Sequence, residues 1–543
     1  MLDAATIARV PARETGFFDA LYLDFLAGDP FVSSRFPAPY RKDEAWSERA
    51  RARLSASASG DAALWREAAE AHARWGASEA ARRNLDDLAA GRAVAVVTGQ
   101  QPDALGGPAF TLHKVLTAVA LARRLESRTG IRAVPVFWCA TEDSDFEEVR
   151  TVRFTGAQLD LQEAALPEEA RVPGGLVGAI PIAALQDSWA RARAAWKDLP
   201  GARLAGEWIE RAAGRARDLG EAQAVLLLAA TAAHGVVVVD PRWESFRRAA
   251  LPLYERYFDR HAAVRETVER AGEELVARGY ERAIQEPQSA FALFEAKDGA
   301  RVKLDPESAR QALARRAALV PNVVLRPIVQ DAVLPAVGLI AGPGEIAYLA
   351  QLGRAYAALD VPMSLAFPRL SATWLPEAAL ALVRDYDVTA WDLVRDTDLA
   401  IRSVVNRLVP AFVRDELERL RREANEGLTR FAEPARAVDA SLPQLVESVR
   451  AKVDFQYGRL LEALVTKRKA AFDRAHPAAA RLRHALLPQG RPQERRLGWL
   501  DLVAHEGAEA VASAHDAAAL HVEQAFAGEV AHYLAHPGPG RAA

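Results

Sequence analysis

Arg92-Ala93-Val94-Ala95-Val96-Val97-Thr98-Gly99-Gln100-Gln101-Pro102-Asp103-Ala104-Leu105-Gly106-Gly107-Pro108 is the stretch on which the fold turns. Ala93 to Val97 is short and wholly apolar, the pattern of a strand buried on both faces. A Gly-rich loop, Thr98 to Pro108, follows it. Phe110 to Arg128 then reads as a helix and Ala133 to Trp138 as a second buried strand. That is one βαβ unit, which requires parallel pairing and a right-handed crossover.

Outward from this unit the alternation recurs. Ala222 to Ala233 reads as a helix and Val236 to Val239 as a strand ending at Asp240. Leu334 to Ile340 reads as a strand, Gly344 to Leu359 as a helix and Met363 to Phe367 as a strand. The fold class is therefore α/β: a doubly wound, parallel, Rossmann-like core over residues 91–375. Two insertions interrupt it. One, at about 150–220, opens with strand-like pieces from Thr151 to Leu161; the other, at about 241–332, holds a hairpin of Phe291–Glu295 and Arg301–Leu304 around Lys297-Asp298-Gly299.

Residues 1–90 read as helices, and after Pro376 the strand signal stops. Leu399–Arg430 and Gln444–Arg474 read as two long helices separated by Pro434, which sets an α-helical coiled-coil domain at 376–475. Val446, Val449, Val453, Tyr457, Leu460 and Leu464 recur at intervals of three or four as its seam. The alternative is one amphipathic helix packed on the core. Residues 476–543 are expected to pack back, ending in a disordered Pro/Gly-rich tail.

A chain of 543 residues is too long for one core. Its 69 basic and 72 acidic residues leave a net charge of -3, which is no footprint for a nucleic acid or an anionic membrane. The single cysteine, Cys139, excludes an internal disulfide and reads as a buried structural thiol. No signal peptide or membrane span is seen, so a cytoplasmic, soluble protein is expected.

Ligands of open α/β sheets bind beyond the carboxyl ends of the strands, which directs attention to the loops there. After the first strand, Thr98, Gly99, Gln100, Gln101, Gly106 and Gly107 can bring backbone close to a ligand, or simply make a tight turn. His113 and Lys114 follow at the start of the helix, placed to face an anion or to lie in solvent. After the second strand comes Glu142-Asp143-Ser144-Asp145-Phe146-Glu147-Glu148, five carboxylates in seven positions. Such a cluster suits an amine, general-base work or a metal such as Mg²⁺, or else caps a helix. Glu142, Asp143 and Asp145 are the stronger candidates, Glu147 and Glu148 the weaker.

Gly342, Gly344 and Glu345 form a second glycine turn that opens a helix. Arg326 and Asp331 are charges in an apolar stretch, either ligand-bound or paired with each other. Arg369 is a candidate anion clamp. No HExxH, CxxC or GxSxG pattern occurs.

Five ordered segments together resemble one family, the bacillithiol biosynthesis cysteine-adding enzymes (BshC). They are VVTGQQPDALGGPAFTLHKVLTAVALA, VPVFWCATEDSDFEEV, PNVVLRPIVQDAVLPAVGLIAGPGEIAYLAQL, FPRLSATWL and GRPQERRLGWLDLVAHEG. The resemblance implies a class I synthetase-type Rossmann core and a coiled coil that makes a homodimer. It also implies a cysteine ligase for the last step of bacillithiol synthesis, joining cysteine to glucosaminyl malate. Where the family commonly has Glu-Asp-His-Asp, this chain has Glu142-Asp143-Ser144-Asp145, and His113 is the nearest histidine in sequence to replace the one missing. Asp103-Ala104-Leu105 also departs from the family's usual glycine and apolar pair, which puts specificity in question.

Amide formation is uphill in water, so ATP or another nucleotide is the expected cofactor, with Mg²⁺ as its companion. Neither His-x-Gly-His nor Lys-Met-Ser-Lys-Ser is present, so ATP follows from the reaction and not from a motif. Two other readings stand beside the ligase. One is a non-catalytic dimeric scaffold that binds a nucleotide or thiol metabolite; the other is a sister amide ligase with a different substrate.

Overall fold

The computed structural model describes residues 6–56 and 62–536; the tail expected to be disordered lies outside them. The chain forms two compact units. One contains the chain up to Trp374 and again from Pro488 onward; the other is Leu375–Leu487.

The first unit is built on five parallel strands: β1 (Ala93–Gln100), β2 (Arg132–Cys139), β3 (Val237–Val239), β4 (Ala336–Ala341) and β5 (Leu365–Pro368). Their order is β5-β4-β1-β2-β3, with every neighbouring pair parallel. Residues Ala93 to Thr98 of β1 are all buried, so the unbroken apolar run is a strand covered on both faces. The chain leaves β1 toward β2 and β3, then crosses to β4 and β5 on the opposite side. The carboxyl ends of β1 and β4 are therefore the switch point of the sheet.

Helix α1 (Ala109–Thr129) links β1 to β2 and packs along both, as well as on β4. Helix α2 (Glu244–Val276), with Pro252 inside it, opens the second insertion. Helix α3 (Pro343–Ala358) connects β4 to β5 and packs against α2. The first insertion carries an antiparallel hairpin, Thr151–Thr155 with Leu161–Ala165. The expected hairpin in the second is Leu293–Lys297 with Ala300–Lys303, and Leu319–Pro321 adds a third strand to it.

Two strand expectations need correction. The N-terminal region is not all helical, and strand structure does not end at Pro376 but returns at Ala531–Ala535. Thr6–Pro11 pairs antiparallel with Ala531–Ala535, which in turn runs parallel to Ser371–Trp374. Each partner is short and supplied by a distant part of the chain, so no local periodicity announces the sheet.

The second unit is helical. The helix expected over Leu399–Arg430 is two, Thr397–Arg407 and α4 (Ala411–Arg436), broken at Pro410, whose ring is costly in a helix interior. Pro434 lies inside α4 near its end, and the break before α5 (Leu442–Ala475) comes at residues 437–441. Helices α4 and α5 pack side by side, with Asp454 accepting from Arg421 Nε at 2.9 Å and Asn425 Nδ2 at 2.7 Å. No helix among the described residues is long and apolar enough to cross a membrane.

Candidate active site

At the switch point, Gly99 and Gln100 at the end of β1 face Gly342-Pro343-Gly344 after β4 across a crevice of about 380 Å³. Gly99 is needed there because a Cβ would lie 2.8 Å from the Trp138 carbonyl oxygen. Gly342 caps α3, Pro343 fills the first position where no N–H is required, and the Glu345 carboxylate accepts from Gly342 N at 2.9 Å. The N–H groups of Gly344 and Glu345 have no intrahelical acceptor, so the crevice has an anion-seeking wall.

Four cationic side chains share the rest of the wall with Asp143, Glu148, Phe110 and Tyr348. Lys114, from the second turn of α1, donates to the Gly99 carbonyl (2.9 Å) and Gln100 Oε1 (3.2 Å) and pairs with Glu345 (2.6 Å). Burial lowers its pKa, although Glu345 pulls the other way. Arg326 donates to the Tyr348 hydroxyl at 2.8 Å, and no carboxylate among the described residues lies within ion-pair distance of it. Arg495 also reaches the crevice without an acidic partner among the described residues. Arg369 lines it too, but its guanidinium is already forked onto Glu494, at 2.7 and 3.0 Å.

A second cavity of about 410 Å³ adjoins the first, and Asp143 and Arg326 line both. Its walls hold Glu142, Arg301, Trp138, Phe291 and Phe294. Glu142 is buried, 3.0 Å from Arg247 Nη2, and burial pushes its carboxyl up to about 7 against the pull of that guanidinium. Asp143 is fixed by its own loop: Oδ1 accepts from Ser144 N at 2.7 Å, and Oδ2 from Gln101 Nε2 at 2.6 Å. Arg301 stands 3.7 Å from Oδ1.

Of the residues singled out in the sequence, this arrangement gathers Gly99, Gln100, Gln101, Lys114, Glu142, Asp143, Arg326, Gly342, Gly344, Glu345 and Arg369. The others sit elsewhere. His113 is fully buried, its Nδ1 3.2 Å from Glu494 and its Nε2 accepting from Trp374 Nε1 at 3.1 Å. Burial lowers its pKa, and with both ring nitrogens committed it cannot stand in for the missing loop histidine. Adjacent helix positions point about 100° apart, which is why Lys114 reaches the crevice and His113 the core.

Asp145 is exposed and caps the short helix Phe146–Arg150, accepting from Glu148 N at 3.1 Å. Thr98 is buried and donates to the Ile340 carbonyl at 3.3 Å, tying β1 to β4. Gly106 and Gly107, with φ of +83° and +97°, hold the Trp499 segment: Gly106 O accepts from the indole at 2.5 Å and Gly107 O from Trp499 N at 3.0 Å. Asp331 is not paired with Arg326. It accepts from Ser364 N at 2.7 Å just before β5 begins, at the end of the sheet opposite the crevice. Cys139 is buried, and burial raises its pKa, which makes it inert.

Sequence reasoning passed over Arg495, Tyr348 and Arg301 and ranked Glu148 too low, although all four line these cavities. Tyr348 follows Glu345 by three on one helix, a signal that was available. Arg495 and Arg301 come from remote loops, and nothing local marks them.

Residues 6–370 match the bacillithiol biosynthesis BshC N-terminal Rossmann-like domain, and residues 372–518 match the BshC C-terminal coiled-coil domain. The chain belongs to the bacillithiol biosynthesis BshC family. Among its relatives in the family is a protein of Thermus thermophilus, 32% identical over 77% of this chain and 84% of its own length. One from Solibacter usitatus is 29% identical over 80% and 84%. One from Salinibacter ruber is 27% identical over 91% and 93%. Each of the three carries the name "Putative cysteine ligase BshC".

Proposed function

We propose that this protein is a cytoplasmic, homodimeric ligase that joins the carboxyl group of cysteine to the amine of glucosaminyl malate, completing bacillithiol. The observation that carries the reading is the pair of adjoining cavities that share Asp143 and Arg326. One carries Lys114, Arg326, Arg495 and free helix N–H groups, which suit anions, with Asp143 and Glu148 beside them. The other sets Glu142 and Asp143 among Arg301, Lys303 and Arg326, and those two carboxylates suit an ammonium group. Amide formation needs an activated carboxyl and an amine brought together at such a boundary.

ATP fits the cationic crevice. Lys114, Arg326, Arg495 and the α3 N-terminus would hold its phosphates, and Asp143 and Glu148 are the acidic side chains beside them for Mg²⁺. When bound, the nucleotide supplies the energy to activate the carboxyl. Within the chain, Arg326 neutralises anionic charge at the boundary of the two cavities, where no carboxylate among the described residues lies within ion-pair distance of it. Asp143 orients the amine. Glu142, with a carboxyl that titrates near neutrality, takes the proton the attacking amine sheds, the role left open by Ser144 and by the buried His113.

The test is reconstitution: purified protein, cysteine, glucosaminyl malate and Mg-ATP, with thiol products resolved by mass. Bacillithiol should form, and Asp143→Asn should abolish it without changing the protein's mass in solution. Nucleotide binding without product would favour the scaffold, and product from another amine or amino acid the sister ligase.

A further inference from the structure

We infer that a separate cavity, between the Ser34–Pro37 loop, Arg49 and the C-terminal half of α3, binds a small organic anion with an apolar body. It measures about 450 Å³ and shares no lining residue with the two cavities of the candidate active site. That volume suits a ligand of a dozen or so heavy atoms with room for water.

Three arginines line it, Arg35, Arg49 and Arg354. Glu274 pairs with two of them, Arg35 and, at 2.8 Å, Arg354. Arg49 has no carboxylate within ion-pair distance among the described residues, and burial together with the neighbouring Arg53 lowers its pKa. The cavity is thus short of negative charge. A solvated basic surface would leave its side chains in water. Here the Arg35 side chain is only 9% exposed, its guanidinium lies over the Phe31 ring, and its Nε–H has no acceptor among the described residues. A buried donor left unpaired costs free energy.

The remaining wall is apolar. Phe36, Tyr356, Val361 and Met363 line the cavity and are themselves at least nine-tenths buried, so the surface they offer belongs to a formed hollow and not to a mobile face. Its frame is also fixed. At Gly353 of α3 a Cβ would lie 2.7 Å from the Arg35 carbonyl oxygen, so the loop can press on the helix only because that residue is glycine. Gln351 on the same helix accepts from Ala283 N and Ile284 N, both at 2.8 Å. Guanidinium forks over an apolar floor select a carboxylate or phosphate carried on an aromatic or aliphatic body.

The probe is 4-iodobenzoate. Calorimetric titration should show one site, weakened roughly tenfold or more by Arg49→Ala, the loss of one charge-assisted contact. Arg326→Ala in the active-site crevice should leave that affinity unchanged. Because no carboxylate among the described residues lies within ion-pair distance of Arg49, the variant should keep the wild-type Tm. In crystals soaked with the probe, anomalous scattering should place iodine beside Phe36 and Met363. Affinity insensitive to Arg49→Ala, loss of binding in Arg326→Ala, iodine located elsewhere, or no binding at millimolar probe would each overturn the assignment.

Discussion

Glu142 titrates where enzymes are assayed, since burial pushes its carboxyl up to about 7 from an ordinary 4.5, against Arg247. If its ionised form takes the proton of the attacking amine, kcat/KM for ligation should rise with pH through about 7. Glu142→Gln should flatten that limb and cost roughly 10²-fold or more in kcat. A limb that survives the substitution would assign the titration to another group. The shift also fixes a stability sign. Between 4.5 and about 7 the unfolded chain has released a proton that the folded protein keeps, so this residue's contribution falls as pH climbs through that window. Glu494 has the opposite sign. Burial raises its pKa, but Arg369 and His113 outweigh burial and hold it well below the usual carboxylate range. Its contribution is present above about 4.5 and is lost as pH falls through the depressed value. Its carboxylate also accepts from Ser371 Oγ and Ala372 N, each at 3.0 Å. Glu494→Ala would therefore strand a buried guanidinium, and urea titration should show a loss of about 3–5 kcal/mol. A loss under about 1 kcal/mol would mean that water replaces the pair.

The loop after β1 shows what an element can and cannot disclose. Its glycines are legible as a place where backbone must do something a side chain forbids, but the sequence does not say for which partner. Gly99 serves the crevice, whereas Gly106 and Gly107 serve a tryptophan almost four hundred positions away in the chain. The same limit separates Lys114 from His113, neighbours in sequence with opposite fates, because only the phase of α1 decides which one faces the crevice. Strands β1 to β5 could be read from local pattern alone, since burial on both faces writes an apolar run. The sheet of Thr6–Pro11, Ala531–Ala535 and Ser371–Trp374 could not, because its pairing is entirely long-range. The loop's division of labour is testable. At Gly106, φ is +83° and a Cβ would fall 2.4 Å from the Trp499 indole nitrogen. Gly106→Ala should lower stability by about 2 kcal/mol or more through strain and displaced packing, while KM for each substrate stays near wild type. A change in KM with an unaltered Tm would instead return Gly106 to the ligand site.

For the molecule as a whole, the helical unit is the part least satisfied by its own chain. Helix α4 spans 26 residues and α5 spans 34, yet the buried positions are Ala435 on the first and Val446 and Phe472 on the second. The seam read from sequence partly packs within the hairpin: Val446 is buried and Val453, Tyr457 and Leu464 are half-buried. Other large apolar side chains are left in water, among them Phe412 (75% exposed), Phe455 (64%), Leu445 (58%) and Leu460 (55%). Single exposed apolar residues are ordinary, but a run of them along two long helices marks an association surface. The homodimer of the proposed function would cover them with a second copy of the chain. Sedimentation equilibrium at micromolar protein should therefore give the mass of two chains. Phe455→Glu combined with Leu460→Glu should give one, because each carboxylate would have to be buried unpaired at the contact. The double variant should retain the wild-type Tm of the Rossmann-like unit, which contains neither residue. A wild-type protein that sediments as a single chain, or a double variant that remains paired, would remove α5 from the interface and leave its exposed apolar side chains to another partner.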